Sequence, residues 1–216
     1  MNNTPTLFII AGPNGVGKTT SFFSVFPVNL PVINADEIAK QLREKLGEIN
    51  VQEIANGEAT KQINGYLAKK MSFGFETNLA DNDTWEFIKR VQMLGYKIII
   101  NFFCVDNIAV CINRVLSRVK EGGHYVRPDI IQYRYENALG FLKRNKDIPD
   151  ILELTDNTFE PINCLTLNKG EIIFQSKPLP IWIQNIIEAK EVVTKKYETI
   201  EEIRKRYQSL KSDDKL

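Results

Sequence analysis

Phe8 to Thr20, FIIAGPNGVGKTT, limits what this chain can become. An apolar run from Thr6 stops at Gly12, the pattern of a short strand buried on both faces of a parallel sheet. Gly12, Gly17, Lys18 and Thr19 then match the spacing G-x-x-x-x-G-K-[ST]. Glycine opens backbone angles closed to other residues, so successive N–H groups can turn inward and form a concavity for an anion. The helix that follows, starting near Lys18, adds its positive N-terminal end. The spacing predicts that Gly12, Pro13, Asn14, Gly15, Val16, Gly17, Lys18, Thr19 and Thr20 bind the phosphates of a nucleotide. Lys18 is placed to reach the β- and γ-phosphates and act in catalysis, and the Thr19 hydroxyl to help hold Mg²⁺.

The rest of the chain supplies alternating elements. Strands are expected at 6–12, 31–36, 73–79, 96–105 and 151–158. A pair at 162–175 reads as a hairpin around Asn168, Lys169 and Gly170. A helix over 51–72 carries Val51, Ile54, Ala55, Ala59, Ile63, Tyr66, Leu67 and Met71 at three- and four-residue steps. A second over 81–95 opens with cap residues, with Glu86 three after Asp83, and closes at Gly95. Helices follow at 107–123 and 128–145, with Pro128 suited to a first turn. From Ile181 the chain reads as helical to near its end. Glu201–Lys205 and Glu202–Arg206 form pairs opposite a stripe of Ile200, Ile203, Tyr207 and Leu210, the stripe of a helix that packs on the domain or binds a partner.

Strand–helix alternation implies an α/β fold with a mainly parallel sheet. With no linker or repeat, 1–216 is expected to be one domain. The 28 basic and 27 acidic residues leave a net charge of +1, so no global field favours nucleic acid or an anionic membrane. No secretory signal or membrane span is evident, and a cytoplasmic protein is the default. Cys104, Cys111 and Cys164 have unrelated spacings, which argues against a disulfide framework or a zinc site; Cys104 reads as a small buried hydrophobe.

A phosphate loop alone does not set the chemistry. Neither an N-K-x-D guanine motif nor an L-S-G-G-Q transporter signature is present. Asp36 in INADEIA and Glu76–Thr77 in GFETNLA follow strands, at the carboxyl ends where open α/β sheets bind ligands. Asp36 is either a catalytic carboxylate or the cap of the next helix. Asp106, after the long strand, is either a hydrolytic carboxylate or a helix cap. Arg114, Arg118, Arg127 and Arg134 flank Gly122–Gly123, as in a lid that closes over a triphosphate, with His124 as a hinge or helix-start residue.

AGPNGVGKTT, NADEIA, GFETNLA, RVKEGGHYV with IIQYRY, and TDNT occur in an order that resembles the zeta-toxin-like P-loop kinases, over roughly Leu7 to Thr158. The resemblance implies a three-layer α/β/α P-loop NTPase fold with a helical arginine-bearing lid (114–134), a late β-hairpin and C-terminal helices (181–216). It implies an ATP- and Mg²⁺-dependent kinase acting on a hydroxyl of a small molecule; toxin members act on UDP-N-acetylglucosamine. By motif, Asp36 matches the aspartate that accepts the acceptor's proton, and Glu76 and Thr77 match an acceptor-contacting segment. Arg114 and Arg127 are spaced like the arginines that clasp the γ-phosphate, with Arg118 catalytic beside them and Arg134 toward the substrate. An antitoxin-like protein partner is part of the same expectation. The Gly-Gly-His turn departs from the toxins and marks a broader branch. The competing expectation is an ATPase switch that works through nucleotide-dependent partner binding, with Asp106 as its essential carboxylate.

Overall fold

The computed structural model describes residues 4–46, 50–121, 123 and 125–187. In chain order the elements are β1 (Thr6–Ala11), α1 (Lys18–Val25), β2 (Val32–Ile33), α2 (Ala35–Leu46), α3 (Val51–Ala68), β3 (Phe73–Thr77) and α4 (Asn82–Met93). They continue with β4 (Lys97–Cys104), α5 (Ile108–Lys120), α6 (Pro128–Asn145), β5 (Ile151–Asp156), β6 (Ile162–Asn168), β7 (Glu171–Gln175) and α7 (Ile181–Ile187).

All seven strands form one sheet in the order β2-β3-β1-β4-β5-β6-β7. The first five run parallel; β6 and β7 are antiparallel additions. Neighbouring strand residues point to opposite faces, and Ile9 and Ile10 are both buried. Both faces of β1 are therefore covered. Gly74 and Phe75 of β3 show which elements cover them. A Cβ on Gly74 would come within 2.9 Å of the Phe26 ring just beyond α1, while Phe75 meets Phe87 of α4 edge-on at 5.8 Å. α1 and α4 thus lie on opposite faces, and the α/β/α layering follows.

The strand order also places the site. β1 lies between β3 and β4, the chain leaving β1 toward one edge and β3 toward the other. Ligands of open α/β sheets bind in the crevice beyond the carboxyl ends at such a switch point. The residues leaving β1, β2, β3, β4 and β5 meet there.

Several expected boundaries move, each for a local reason. β2 ends at Ile33, because the Asn34 side chain already accepts from the amides of Asp36 and Glu37 and starts α2. Asn34, not Asp36, is that helix's cap. α3 stops at Ala68: Lys70 adopts φ 50°, and the Lys70 and Met71 amides donate back to Leu67 and Tyr66, a Schellman closure. Ile54 and Met71, expected on its buried stripe, are exposed. The cap of α4 is Asp81, which accepts from the Thr84 amide at 2.8 Å, so Asp83 sits within the first turn and does not cap it. Pro128 opens α6 as expected, and Lys169 and Gly170, both at positive φ, form the β6–β7 turn. Asp106 does not cap α5; Asn107 does, accepting from Ala109. Asp106 instead accepts from the Trp182 amide at the start of α7. The expected helix beyond Ile187, with its Glu201 and Glu202 pairs and its Ile200 stripe, lies outside the described residues, as do Gly122 and His124.

Candidate active site

The loop after β1 has the backbone the sequence demanded. Gly12, Gly15 and Gly17 adopt φ of 134°, 81° and 88°, a region that favours glycine. Space is closed as well: a Cβ on Gly12 would overlap the Phe103 carbonyl, and one on Gly17 the Asn157 side-chain amide. The loop is therefore wedged between β4 and the exit of β5. Lys18 is the first residue of α1 and is only 7% exposed. Its ammonium folds back over the loop, donating to the carbonyls of Gly12 at 2.6 Å and Pro13 at 3.1 Å, and stands 3.7 Å from Glu76 Oε1. Burial pulls its pKa below the usual lysine value, while the charges of Glu76 and Asp36 raise it. Thr19 and Thr20 are exposed in the first turn of α1. Among the described residues no three His, Cys, Asp or Glu side chains are grouped to hold a metal unaided. Thr19, the sequence's candidate for a metal contact, leaves its hydroxyl on the exposed side of that turn.

Opposite Lys18 lies a carboxylate pair. Glu76, near the end of β3, is largely buried, and burial raises its pKa; Lys18 draws it down, Asp36 raises it further and Arg118 lowers it. Asn34 Nδ2 donates to Glu76 Oε2 at 2.7 Å. Asp36 is exposed in the first turn of α2, close enough for its charge to act on both Lys18 and Glu76. The Thr77 hydroxyl accepts from the Leu79 amide at 3.0 Å, which fixes the turn where Leu79 takes φ 56°.

The four arginines part company. Arg134 on α6 reaches the phosphate loop and donates to Asn14 Oδ1 at 2.8 Å. Arg118 on α5 is exposed, its charge acting on Glu76. Arg114 forks onto two main-chain carbonyls beyond β5, Asn157 at 2.8 Å and Thr158 at 3.0 Å. Arg127 precedes α6 and grips Asp129 with two hydrogen bonds. Arg134 thus reaches the phosphate loop and the Arg118 charge is felt at Glu76, while Arg114 and Arg127 hold local partners.

Asn157 and Asn34 were not singled out by the sequence. Asn157, buried, donates from its side chain to Val16 O at 2.7 Å and from its backbone to Cys104 O at 2.9 Å. It joins the phosphate loop to the strand ends. The TDNT segment carried the signal, because side-chain amides after a buried strand need partners. Beside it Asp156 is fully buried, bonded by the Thr158 hydroxyl at 2.7 Å. Burial pushes its pKa up to about 6, against the pull of the Thr158 hydroxyl and amide.

No family model matches the chain. A protein of Haemophilus influenzae, itself uncharacterised, is 29% identical over 128 residues, 57% of this chain and 88% of its own length. Many solved structures resemble the fold, three of them as follows. One is provisionally described as a kinase, from Chloroflexus aurantiacus: TM-score 0.53, 22% identity, 74% of this chain and 88% of that one. The AvrRxo1-ORF1:ORF2 complex crystallised with ATP gives TM-score 0.66 and 15% identity, covering 98% and 77%. A chain from the PezAT toxin–antitoxin system of Streptococcus pneumoniae gives 0.60 and 14%, covering 97% and 88%. The seven-stranded, mostly parallel sheet with its glycine loop is thus a fold shared with these three solved structures.

Proposed function

We propose that this protein is an ATP-dependent phosphotransferase that moves the γ-phosphate onto a hydroxyl of a small acceptor. The observation that carries the reading is the junction of Lys18 and Glu76. A buried ammonium at the mouth of a glycine loop faces a carboxylate at the end of the adjoining strand, 3.7 Å away. The loop amides and the start of α1 bind the triphosphate. Lys18 turns from the Gly12 and Pro13 carbonyls to the phosphates; the Thr19 hydroxyl would help hold Mg²⁺, which would neutralise charge on the phosphates. Asp36, exposed beside Glu76, accepts the acceptor's proton, and Glu76 with Thr77 orients that acceptor. Arg118 and Arg134 stabilise the charge spreading over the transferred phosphoryl; Arg114 and Arg127 join them only by leaving the partners they hold here. UDP-N-acetylglucosamine is the first acceptor to try, and the cytoplasm is where such a pool would be met.

Asp106 supports the kinase over an ATPase switch. Its carboxylate accepts from the Trp182 amide, at the base of α7. Two of the structural neighbours were crystallised with second chains or belong to a toxin–antitoxin pair, which makes an antitoxin-like partner worth testing by co-purification.

The decisive experiment incubates the protein with ATP, Mg²⁺ and a metabolite extract and follows phosphate-mass gains by mass spectrometry. A product that appears with the natural protein and vanishes with Lys18→Ala and with Asp36→Asn is expected. ATP consumption without any phosphorylated acceptor would overturn the reading in favour of the switch.

A further inference from the structure

We infer that Asn34 is a positioning residue that locks the two acceptor-side carboxylates together, a role resting on the phosphotransferase reading. One side-chain amide does two jobs. Its oxygen accepts from the Asp36 and Glu37 amides at 2.9 and 3.1 Å, which caps α2 and fixes the turn bearing Asp36. Its nitrogen donates to Glu76 Oε2 at 2.7 Å. The other Glu76 oxygen faces Lys18. Only an amide can do both, because a hydroxyl or carboxylate cap lacks the second donor or its reach.

The arrangement matters most when a nucleotide arrives. Lys18 is then drawn toward the phosphates and its hold on Glu76 weakens. A largely buried carboxylate beside the charge of Asp36 would otherwise be left without its strongest fixed donor. Asn34 keeps Glu76 oriented and set against the start of α2, so Glu76 and Asp36 present one acceptor site. The hydrogen bond also favours the ionised form of Glu76.

Two variants separate the cap from the bridge. Asn34→Ser and Asn34→Asp both retain a good helix cap, and neither can donate to Glu76 across the same gap. The first adds no charge; the second adds a like charge. The readout is the Glu76 carboxyl titration by ¹³C NMR, its signal assigned with Glu76→Gln, with and without ATP and Mg²⁺. The Glu76 midpoint is expected to rise in Asn34→Ser, which removes a donor to the ionised carboxylate. In Asn34→Asp, protonation of the pair should begin at still higher pH. The acid limb of phosphate transfer into the extract should follow, with the melting temperature and the calorimetric heat of ATP binding retained. Unchanged Glu76 midpoints in both variants would overturn the assignment, even if transfer fell. If the natural protein binds ATP but transfers nothing, the phosphotransferase reading fails on its own, and the titration still decides whether Asn34 holds Glu76.

Discussion

Asp156 shows how much one residue can determine. It lies at the end of β5, fully buried, with the Thr158 hydroxyl and amide as donors. Its folded pKa of about 6 stands above the ordinary 3.8. A carboxyl raised on folding favours the protonated native state. Its stabilising contribution is present below the unfolded pKa and is lost as pH rises through about 6. The loss is at most ~3 kcal/mol between about pH 4 and 6. Asp156→Asn keeps the shape and an acceptor for Thr158 but cannot ionise. Urea denaturation at pH 4.5 and 7.5 should show a smaller fall, or a larger gain, in the variant than in the natural protein. Parallel pH profiles for the two would show that Asp156 is not the group responsible. At the same scale, Gly17→Ala forces a side chain into φ 88° and onto the Asn157 amide. It is expected to abolish the calorimetric heat of ATP binding and to lower the melting temperature.

At the scale of elements, α5 is fastened to the exit of β5 by Arg114. The same exit braces the phosphate loop through Asn157. Helix, strand end and loop are therefore one mechanical unit. Arg114→Ala removes two hydrogen bonds from a charged donor, a loss of about 2–3 kcal/mol. It should appear as a lower denaturation midpoint without ligand. Arg114→Lys keeps the charge but not the fork and should recover only part of the loss. If Arg114→Ala leaves the ligand-free midpoint unchanged and abolishes transfer, the γ-phosphate role is the correct one. This division was not legible in the sequence. Spacing put all four arginines near one glycine turn, but spacing does not say which way a guanidinium points. The elements themselves were legible wherever a local signal was strong: the apolar runs of β1 and β4, Pro128 at α6, Lys169–Gly170 at the hairpin. The errors fell where side chains compete for backbone groups. Asn34 ended β2 early, and Asp106 bonded a helix 76 residues further on. For the site, the glycine loop and the strand-end carboxylate were readable, while the amides that brace them depend on contacts 42 and 141 residues apart along the chain.

The whole molecule carries almost no net charge, 28 basic against 27 acidic residues. On the proposed reading, attraction for a triphosphate comes from the loop between β1 and α1, with Lys18 folded over it and Arg134 bonded to it. A triphosphate held there would bind the folded chain and not the unfolded one, because the loop keeps its shape only when β4 and the exit of β5 are packed around it. Ligand at a hundredfold excess over its Kd then stabilises by about 2.7 kcal/mol. For a chain of this size that is roughly a 5–10 °C rise in melting temperature. ATP with Mg²⁺ is expected to produce that rise in a differential scanning experiment, and Lys18→Ala to remove it. A single-stranded oligonucleotide of equal phosphate concentration should leave the midpoint unmoved, since it offers backbone diesters and no terminal phosphate chain for the loop to enclose. A larger shift with the oligonucleotide than with ATP would move the protein from small-molecule kinases toward enzymes acting on nucleic-acid ends, despite its balanced charge.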